Sequence, residues 1–168
     1  MRPDLKVLNL PDIPIGTLFF YEQYGLPVSL CIRAFRGEDA AKSSADHLVI
    51  LPNGKNPEWE CAAHELSNFR GTGVVVDSTR LIIDPTSLSS SRAHGLIHNK
   101  GYVIVAGEDA LITLNNGRYT WGYVSLSSGK IVNEIAIPSA AFSRWRIERG
   151  DPAEIIFESQ TEVGEHND

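Results

Sequence analysis

Short apolar runs separated by turn signals fill the second half of this chain, and this pattern restricts the fold more than any other feature. The runs are each about as long as one β-strand and are too short for a typical helix. The turn signals are rich in Gly, Asn, Asp and Ser, residues that favour tight turns between antiparallel strands. They stand at Gly107-Glu108-Asp109, Asn115-Asn116-Gly117, Ser127-Ser128-Gly129 and Gly150-Asp151-Pro152. The runs between them predict strands at 102–106, 110–114, 118–126, 130–137, 142–149 and 153–158.

The first half of the chain predicts further strands and one helix. Residues 17–24 and 28–36 predict a hairpin, and the alternation along Val28–Arg36 is typical of a half-buried strand. The period changes after Asn56, where Pro57 suits the first position of a helix and apolar residues recur at helical spacing. We expect a mainly β fold, an antiparallel meander forming a barrel or sandwich-like sheet, with one short helix at about 57–68. Other short strands are expected at 47–51, 74–76 and 81–83.

Length and charge predict one globular domain and an acidic tail. The chain has 168 residues and a formal charge of -6. Four of its acidic side chains lie at or after Glu158, where there is no Lys or Arg, so the rest of the chain carries a formal charge of only -2. We expect a single domain at 1–157, with a subdivision near 84–94 as an alternative, and a flexible acidic tail at 158–168. No large basic cluster is present, which disfavours nucleic acid as a partner.

Cysteine usage and hydropathy bear on location. No stretch has the length of a membrane span, and the N-terminus does not have the pattern of a secretory signal. Only two cysteines occur, and a chain of this size does not need a disulfide framework. These features predict a cytoplasmic protein that does not bind a membrane.

One group of residues has the ligand types of a zinc site. Cys61 and His64 are three positions apart on the predicted helix and would share a face, and His94 and His98 follow the Ser-rich loop. The mixed Cys-His pair lacks the turn that usually surrounds structural zinc ligands. A buried small Cys with dispersed histidines is the more common arrangement. We therefore expect no metal, no cofactor and no catalytic residue, and keep a zinc or acid/base site at these four residues as an alternative.

Two strands carry residues suited to binding. Tyr119, Trp121 and Tyr123 alternate along one predicted strand, and a row of aromatic side chains can stack against a partner, although a buried stripe is more common. Arg144 and Arg146 alternate with Trp145 and Ile147 on another strand. A strand with solvated charges explains that alternation, whereas arginine forks that bind a carboxylate or phosphate would give it a function.

These motifs are not specific enough to identify a family, so the functional hypotheses depend on the distribution of residues. We expect a non-catalytic binding or interaction module that contacts another protein, with Tyr119, Trp121, Tyr123, Arg144 and Arg146 as candidate binding residues. One alternative is a small zinc-dependent or acid/base enzyme with a site near Cys61, His64, His94 and His98. The other is an acidic inhibitor or immunity-type protein that meets a basic enzyme surface.

Overall fold

The computed structural model describes residues 5–22, 28–38, 46–51, 61–88, 101–116, 119–136 and 138–159, with the backbone alone at 46, 115–116 and 119–121. The described chain is mainly β-strand, as the turn signals predicted. The strands are β1 Lys6–Asn9, β2 Leu18–Tyr21, β3 Ser29–Arg36, β4 Asp46–Ile50, β5 Ala62–Glu65, β6 Thr72–Val75, β7 Thr79–Ile83, β8 Val103–Ala106, β9 Asp109–Asn116, β10 Tyr119–Ser125, β11 Lys130–Val132, β12 Ser139–Phe142, β13 Trp145–Arg149 and β14 Glu154–Glu158. Three 3₁₀ turns are Leu10–Asp12, Leu66–Asn68 and Pro85–Ser87.

Eleven of the described strands form one large sheet. Its main path runs β1-β6-β2-β3-β11-β10-β9-β8-β12, and β4 pairs with β3 and with β5 as a branch. All of these pairings are antiparallel except that of β11 with β3. The path does not return to its first strand, so the sheet is not closed into a barrel, and a sandwich-like arrangement fits the expected class.

A second sheet has three strands, in the order β14-β13-β7. It packs on one face of the large sheet, because a single cluster of buried residues contains Trp145, Ile147 and Phe157 from the small sheet together with Ile32 and Val103 from the large one. Burial of such side chains contributes about 1.5–3 kcal/mol each to folding. The hydrophobic contact between the two sheets therefore stabilises the fold and holds the small sheet on the large one.

The opposite face of the large sheet is covered as well. Cys31 and Leu48 belong to one further buried cluster, and Ile104, Leu111 and Tyr123 belong to another. Because successive side chains of a strand point to opposite faces, the burial of both Cys31 and its neighbour Ile32 means that β3 is covered on both sides. The prediction of a half-buried strand at 28–36 was wrong on this point.

The meander expectation holds along β8 to β11 and again for β13 with β14, whereas β12 departs from it. β8 pairs with β9, β9 with β10, and β10 with β11. β12 instead returns to pair with β8, and β13 leaves for the small sheet, where it lies between β7 and β14. Strand pairing with sequence neighbours is common but not obligatory, and here β8 has its second edge open for β12.

The helix expected at about 57–68 is wrong in its described part. Residues 62–65 form β5, which pairs with β4, and only the 3₁₀ turn Leu66–Asn68 is helical. The free edge of β4 offers backbone partners to this segment, and tertiary pairing overrides a weak local helical preference. Residues 57–60 lie outside the described residues.

The C-terminal strand extends into the segment expected to be a tail. β14 ends at Glu158, and Ser159 is buried. The rest of that segment, 160–168, lies outside the described residues. Described residues on either side of the considered division at 84–94 share one core, since β7 pairs with β13 and β3 pairs with β11.

Candidate functional site

The outer face of the small sheet carries a row of charged side chains along β13. Trp145 and Ile147 point inward and are almost completely buried, so Arg144, Arg146 and Glu148 fall on the other face. This is the alternation that the sequence predicted for the segment, with the aromatic and aliphatic side chains inside. The charged side chains face outward because Trp145 and Ile147 pack inward. Whether they can also bind a ligand depends on how each side chain is oriented.

Arg144 is held by a compact polar turn that follows β7. Its Nε donates to Oδ2 of Asp84 at 2.9 Å, and its Nη2 donates to Oγ1 of Thr86 at 2.9 Å. Thr86 in turn donates its hydroxyl to Oδ1 of Asp84 at 2.6 Å and its backbone N–H to the same oxygen at 2.9 Å. The hydrogen bonds from Thr86, followed by that from Arg144, lower the pKa of the Asp84 carboxyl below its ordinary value. Asp84 is therefore an ionised anchor that fixes the Arg144 guanidinium.

Arg146 is oriented in the same way by a second carboxylate. Its Nε donates to Oε1 of Glu148 at 2.7 Å. The other oxygen, Oε2, lies 3.6 Å from Nη2 of Arg80. The Glu148 side chain is only 11 % exposed, whereas those of Arg146 and Arg80 are 42 % and 56 % exposed. Glu148 thus lies beneath two more exposed guanidinium groups.

Two serine hydroxyls join the strands at the end of the sheet where Arg144 lies. Ser87 donates to the backbone carbonyl of Asp84 at 2.7 Å and accepts from the Arg144 N–H at 3.0 Å. Ser159 donates to the carbonyl of Ser143 at 2.9 Å and accepts from the Trp145 N–H at 2.9 Å. These bonds satisfy backbone groups where the regular ladder ends, and they hold the segment before β13 in place.

These elements surround an open cleft of about 360 Å³ at the end of the small sheet. Arg146 lines it from β13 and Arg144 from the residue just before β13, Asp84 and Ile82 line it from the β7 side, and Glu158 lines it from β14. A guanidinium has five N–H donors. The bonds to Asp84, Thr86 and Glu148 use few of them, so both arginines keep donors for an acceptor that enters the cleft. The arrangement can bind a carboxylate or another oxyanion with little loss of side-chain entropy, because both arginines are already oriented.

Sequence reasoning found the arginines and missed the residues that orient them. In the run Asp84-Pro85-Thr86, an Asp that can cap a helical turn stands directly before a Pro that suits its first position. That sequence signal could have indicated the 3₁₀ turn. Its contact with Arg144 joins residues that are 60 positions apart. No local pattern contains that pairing.

The aromatic row is the second set of candidate binding residues. Tyr123 is only 4 % exposed and packs with Ile104 and Leu111, so it lies in the interior and does not face solvent. Burial raises the pKa of its phenol. The side chains of Tyr119 and Trp121 lie outside the described residues. The structure therefore argues against Tyr123 as a stacking residue.

The proposed zinc ligands are not brought together where the structure describes them. Cys61 immediately precedes β5 and His64 lies within it, so the two side chains point to opposite faces of the sheet. Cys61 is in the core between the sheets, and His64 packs against Phe69 with a ring-centroid distance of 5.5 Å. The shared face expected for Cys61 and His64 depended on the helix and was wrong with it. His94 and His98 lie outside the described residues.

The chemistry of the two thiols also differs from that of an activated nucleophile. Burial raises the pKa of the Cys31 thiol to about 12, and burial also raises the pKa of the Cys61 thiol. A thiolate is the reactive and metal-binding form, so both residues are held in the inert state. Among the residues with described positions, no three or more His, Cys, Asp or Glu side chains are grouped in a way that could hold a metal ion.

Comparison of this chain with protein-family models, curated proteins and solved structures found no match. Within the described parts of the chain, no helix has the length and apolar character needed to cross a membrane.

Proposed function

We propose that this protein is a non-catalytic binding module that recognises an acidic segment of another protein through the cleft that Arg144 and Arg146 line. The single observation that supports it most is the double anchoring of these arginines: each uses its Nε on a carboxylate, Asp84 for one and Glu148 for the other. Arginines fixed in this manner present forked donors to a partner's carboxylate.

The partner we propose is a protein segment and not a small metabolite, because the cleft is open and has charged side chains in its lining. It lies at the open end of a sheet, and its lining combines exposed charged groups with the aliphatic Ile82 and Ile83. Small-molecule sites are usually deeper and more apolar. A carboxylate with an adjacent aliphatic group, as in a peptide, matches this lining. We place the protein in the cytoplasm, in keeping with its two free cysteines.

The experiment is selection from a random-peptide display library against the purified full chain. Wild-type protein is expected to enrich peptides that contain Asp or Glu, and fluorescence anisotropy with a labelled enriched peptide then measures affinity. The same peptide with Asn or Gln in place of its acids tests the charge, and a phosphoserine version distinguishes carboxylate from phosphate recognition. Affinity should also fall as salt is raised, because the contact is between exposed charges.

The matched variants are Arg146→Gln and Arg149→Gln, on the same strand. Arg149 is paired with Glu154 at 2.7 Å and does not line the cleft, so its substitution controls for the loss of one positive charge. A charge-assisted hydrogen bond contributes about 1.5–3 kcal/mol, so Arg146→Gln is expected to weaken binding by about tenfold to a hundredfold. Enrichment of peptides without acidic residues, or equal affinities of the two variants, would refute the proposal.

A further inference from the structure

The two edges of the small sheet differ in charge. β7 forms one edge and carries Arg80, whose side chain is 56 % exposed. β14 forms the other edge and carries Glu154 and Glu158, both exposed. An acidic segment therefore meets a cation at the β7 edge, whereas at the β14 edge it meets carboxylates, of which Glu154 is paired with Arg149 and Glu158 lines the cleft.

The backbone of β7 has hydrogen-bonding groups that point away from β13. The Asp84 N–H donates to the Arg144 carbonyl at 3.0 Å, and the Gly150 N–H donates to the Ser78 carbonyl at 3.2 Å. Bonded and non-bonded pairs alternate along an antiparallel ladder, so the even-numbered residues of β7 face β13. The N–H and C=O groups of Thr79, Leu81 and Ile83 then point to the open edge, where no described strand pairs with them.

An apolar groove lies beside this edge on its inner side. It has a volume of about 580 Å³, and Ile83 and Pro85 line it on the side of β7. Its opposite wall comes from β8 and β12 and includes Val105, Ala140 and Phe142. A strand added at the β7 edge would direct every second side chain toward this groove and the others toward Arg80 and the cleft.

We infer that the acidic partner segment binds as an additional β-strand on the open edge of β7, with apolar side chains in the groove and acidic side chains on the face that carries Arg80 and Arg144. This inference rests on the proposed function and specifies how the partner docks. Main-chain hydrogen bonds supply affinity in this mode, and the alternating side chains supply specificity. The occupant is a segment in which apolar and acidic residues alternate.

The test is amide hydrogen exchange, followed by NMR, on the full chain with and without a labelled acidic peptide from the display selection. The outward amides of Thr79, Leu81 and Ile83 should exchange at least about tenfold more slowly with peptide bound, because pairing protects them. The amide of Glu158 also points away from β13, since its neighbour Ser159 donates to the Trp145 carbonyl at 2.9 Å. Because Glu158 also lines the cleft, its amide reports on binding at the opposite edge, and the amide of Val7 on the β1 edge is the control that should not change.

Two variants test the groove without touching the arginines. Ala140→Trp places a large side chain in the groove, and Ala153→Trp makes the same change at an exposed position of the β13–β14 hairpin. After both are shown by urea unfolding to be folded, Ala140→Trp should weaken peptide binding by about tenfold, the effect of filling a pocket that an aliphatic anchor would otherwise use. Ala153→Trp should leave binding unchanged.

The outcomes separate the two proposals. If no acidic peptide binds, the proposed function fails. If acidic peptides bind in an Arg146-dependent way but the β7 amides are not protected, or protection falls on Glu158 or on Val7 of the β1 edge, strand addition at β7 is overturned and the proposed function stands. Equal binding by the two tryptophan variants would also overturn the groove as the apolar subsite.

Discussion

Ser159 provides the most direct test of how the C-terminal segment is held. Its hydroxyl accepts from the Trp145 N–H and donates to the Ser143 carbonyl, and its own N–H donates to the Trp145 carbonyl, each at 2.9 Å. Ser159 is only 7 % exposed, so these bonds are sheltered from water. At a net value of about 1 kcal/mol for each bond, their complete loss should lower the free energy of unfolding by about 3 kcal/mol.

Three variants resolve this contribution in urea denaturation. A chain ending at Phe157 loses all three bonds and should be less stable by about 3 kcal/mol. Ser159→Ala keeps the backbone bond and should lose about 2 kcal/mol, because a buried donor and a buried acceptor lose their partner. A chain ending at Gln160 is the control, since it keeps every one of these bonds and should unfold within about 0.5 kcal/mol of the full chain.

The reasoning would be refuted if the chain ending at Phe157 matched the chain ending at Gln160. In that case residues 158 and 159 would contribute nothing to the fold. A change in the slope of the unfolding free energy with urea would have to be excluded first, because it signals a change in the surface exposed and not in the bonds.

Two further predictions concern a glycine and a histidine. Gly129 has φ +73°, and a Cβ there would overlap a backbone carbonyl oxygen of β3. Gly107 has φ +62° with nothing within 4 Å of a Cβ. Urea unfolding should therefore show a loss of unfolding free energy of about 1 kcal/mol for Gly107→Ala and about 3 kcal/mol for Gly129→Ala, and equal losses would contradict the steric argument. Burial lowers the pKa of His64 below its ordinary 6.5. The folded state therefore favours the neutral imidazole. The contribution of neutral His64 to the free energy of unfolding is complete above the unfolded pKa and is lost as pH falls through the folded pKa. NMR titration should place the folded pKa of His64 below 6.5. The stability advantage of the wild type over His64→Gln should shrink from about pH 7 to about pH 5. A raised pKa of His64, or an advantage that grows as pH falls, would contradict this prediction.

The candidate site could be predicted from sequence only in part. Arg144 and Arg146 were identified by their alternation with Trp145 and Ile147, and this alternation is a local property of a strand with one buried face. Glu148 is on the same strand, yet its place beneath Arg146 and Arg80 depends on the pairing of β13 with β7. The aromatic row failed at Tyr123, because the sequence pattern does not state that both faces of β10 are covered.

The wrong helix shows where local preference loses. The apolar residues around Cys61 recur at helical spacing, but the segment gains backbone partners on the free edge of β4 and buries Cys61 between the two sheets. Those gains exceed a helix preference of a few tenths of a kcal/mol per residue. The zinc hypothesis depended on that helix, so its Cys61–His64 pair failed for the same reason.

The sequence by itself determined where most strands begin and end. Gly107, Gly129 and Gly150 adopt positive φ at three of the turn signals, a backbone conformation that depends on the residue and its immediate neighbours. The tertiary structure alone decided which strand edges meet, that β12 returns to β8, and that the turn at Asp84 reaches Arg144. Turns are local because steric limits on φ act within a few bonds, whereas edge pairing is decided by which apolar faces can be buried together across the whole chain.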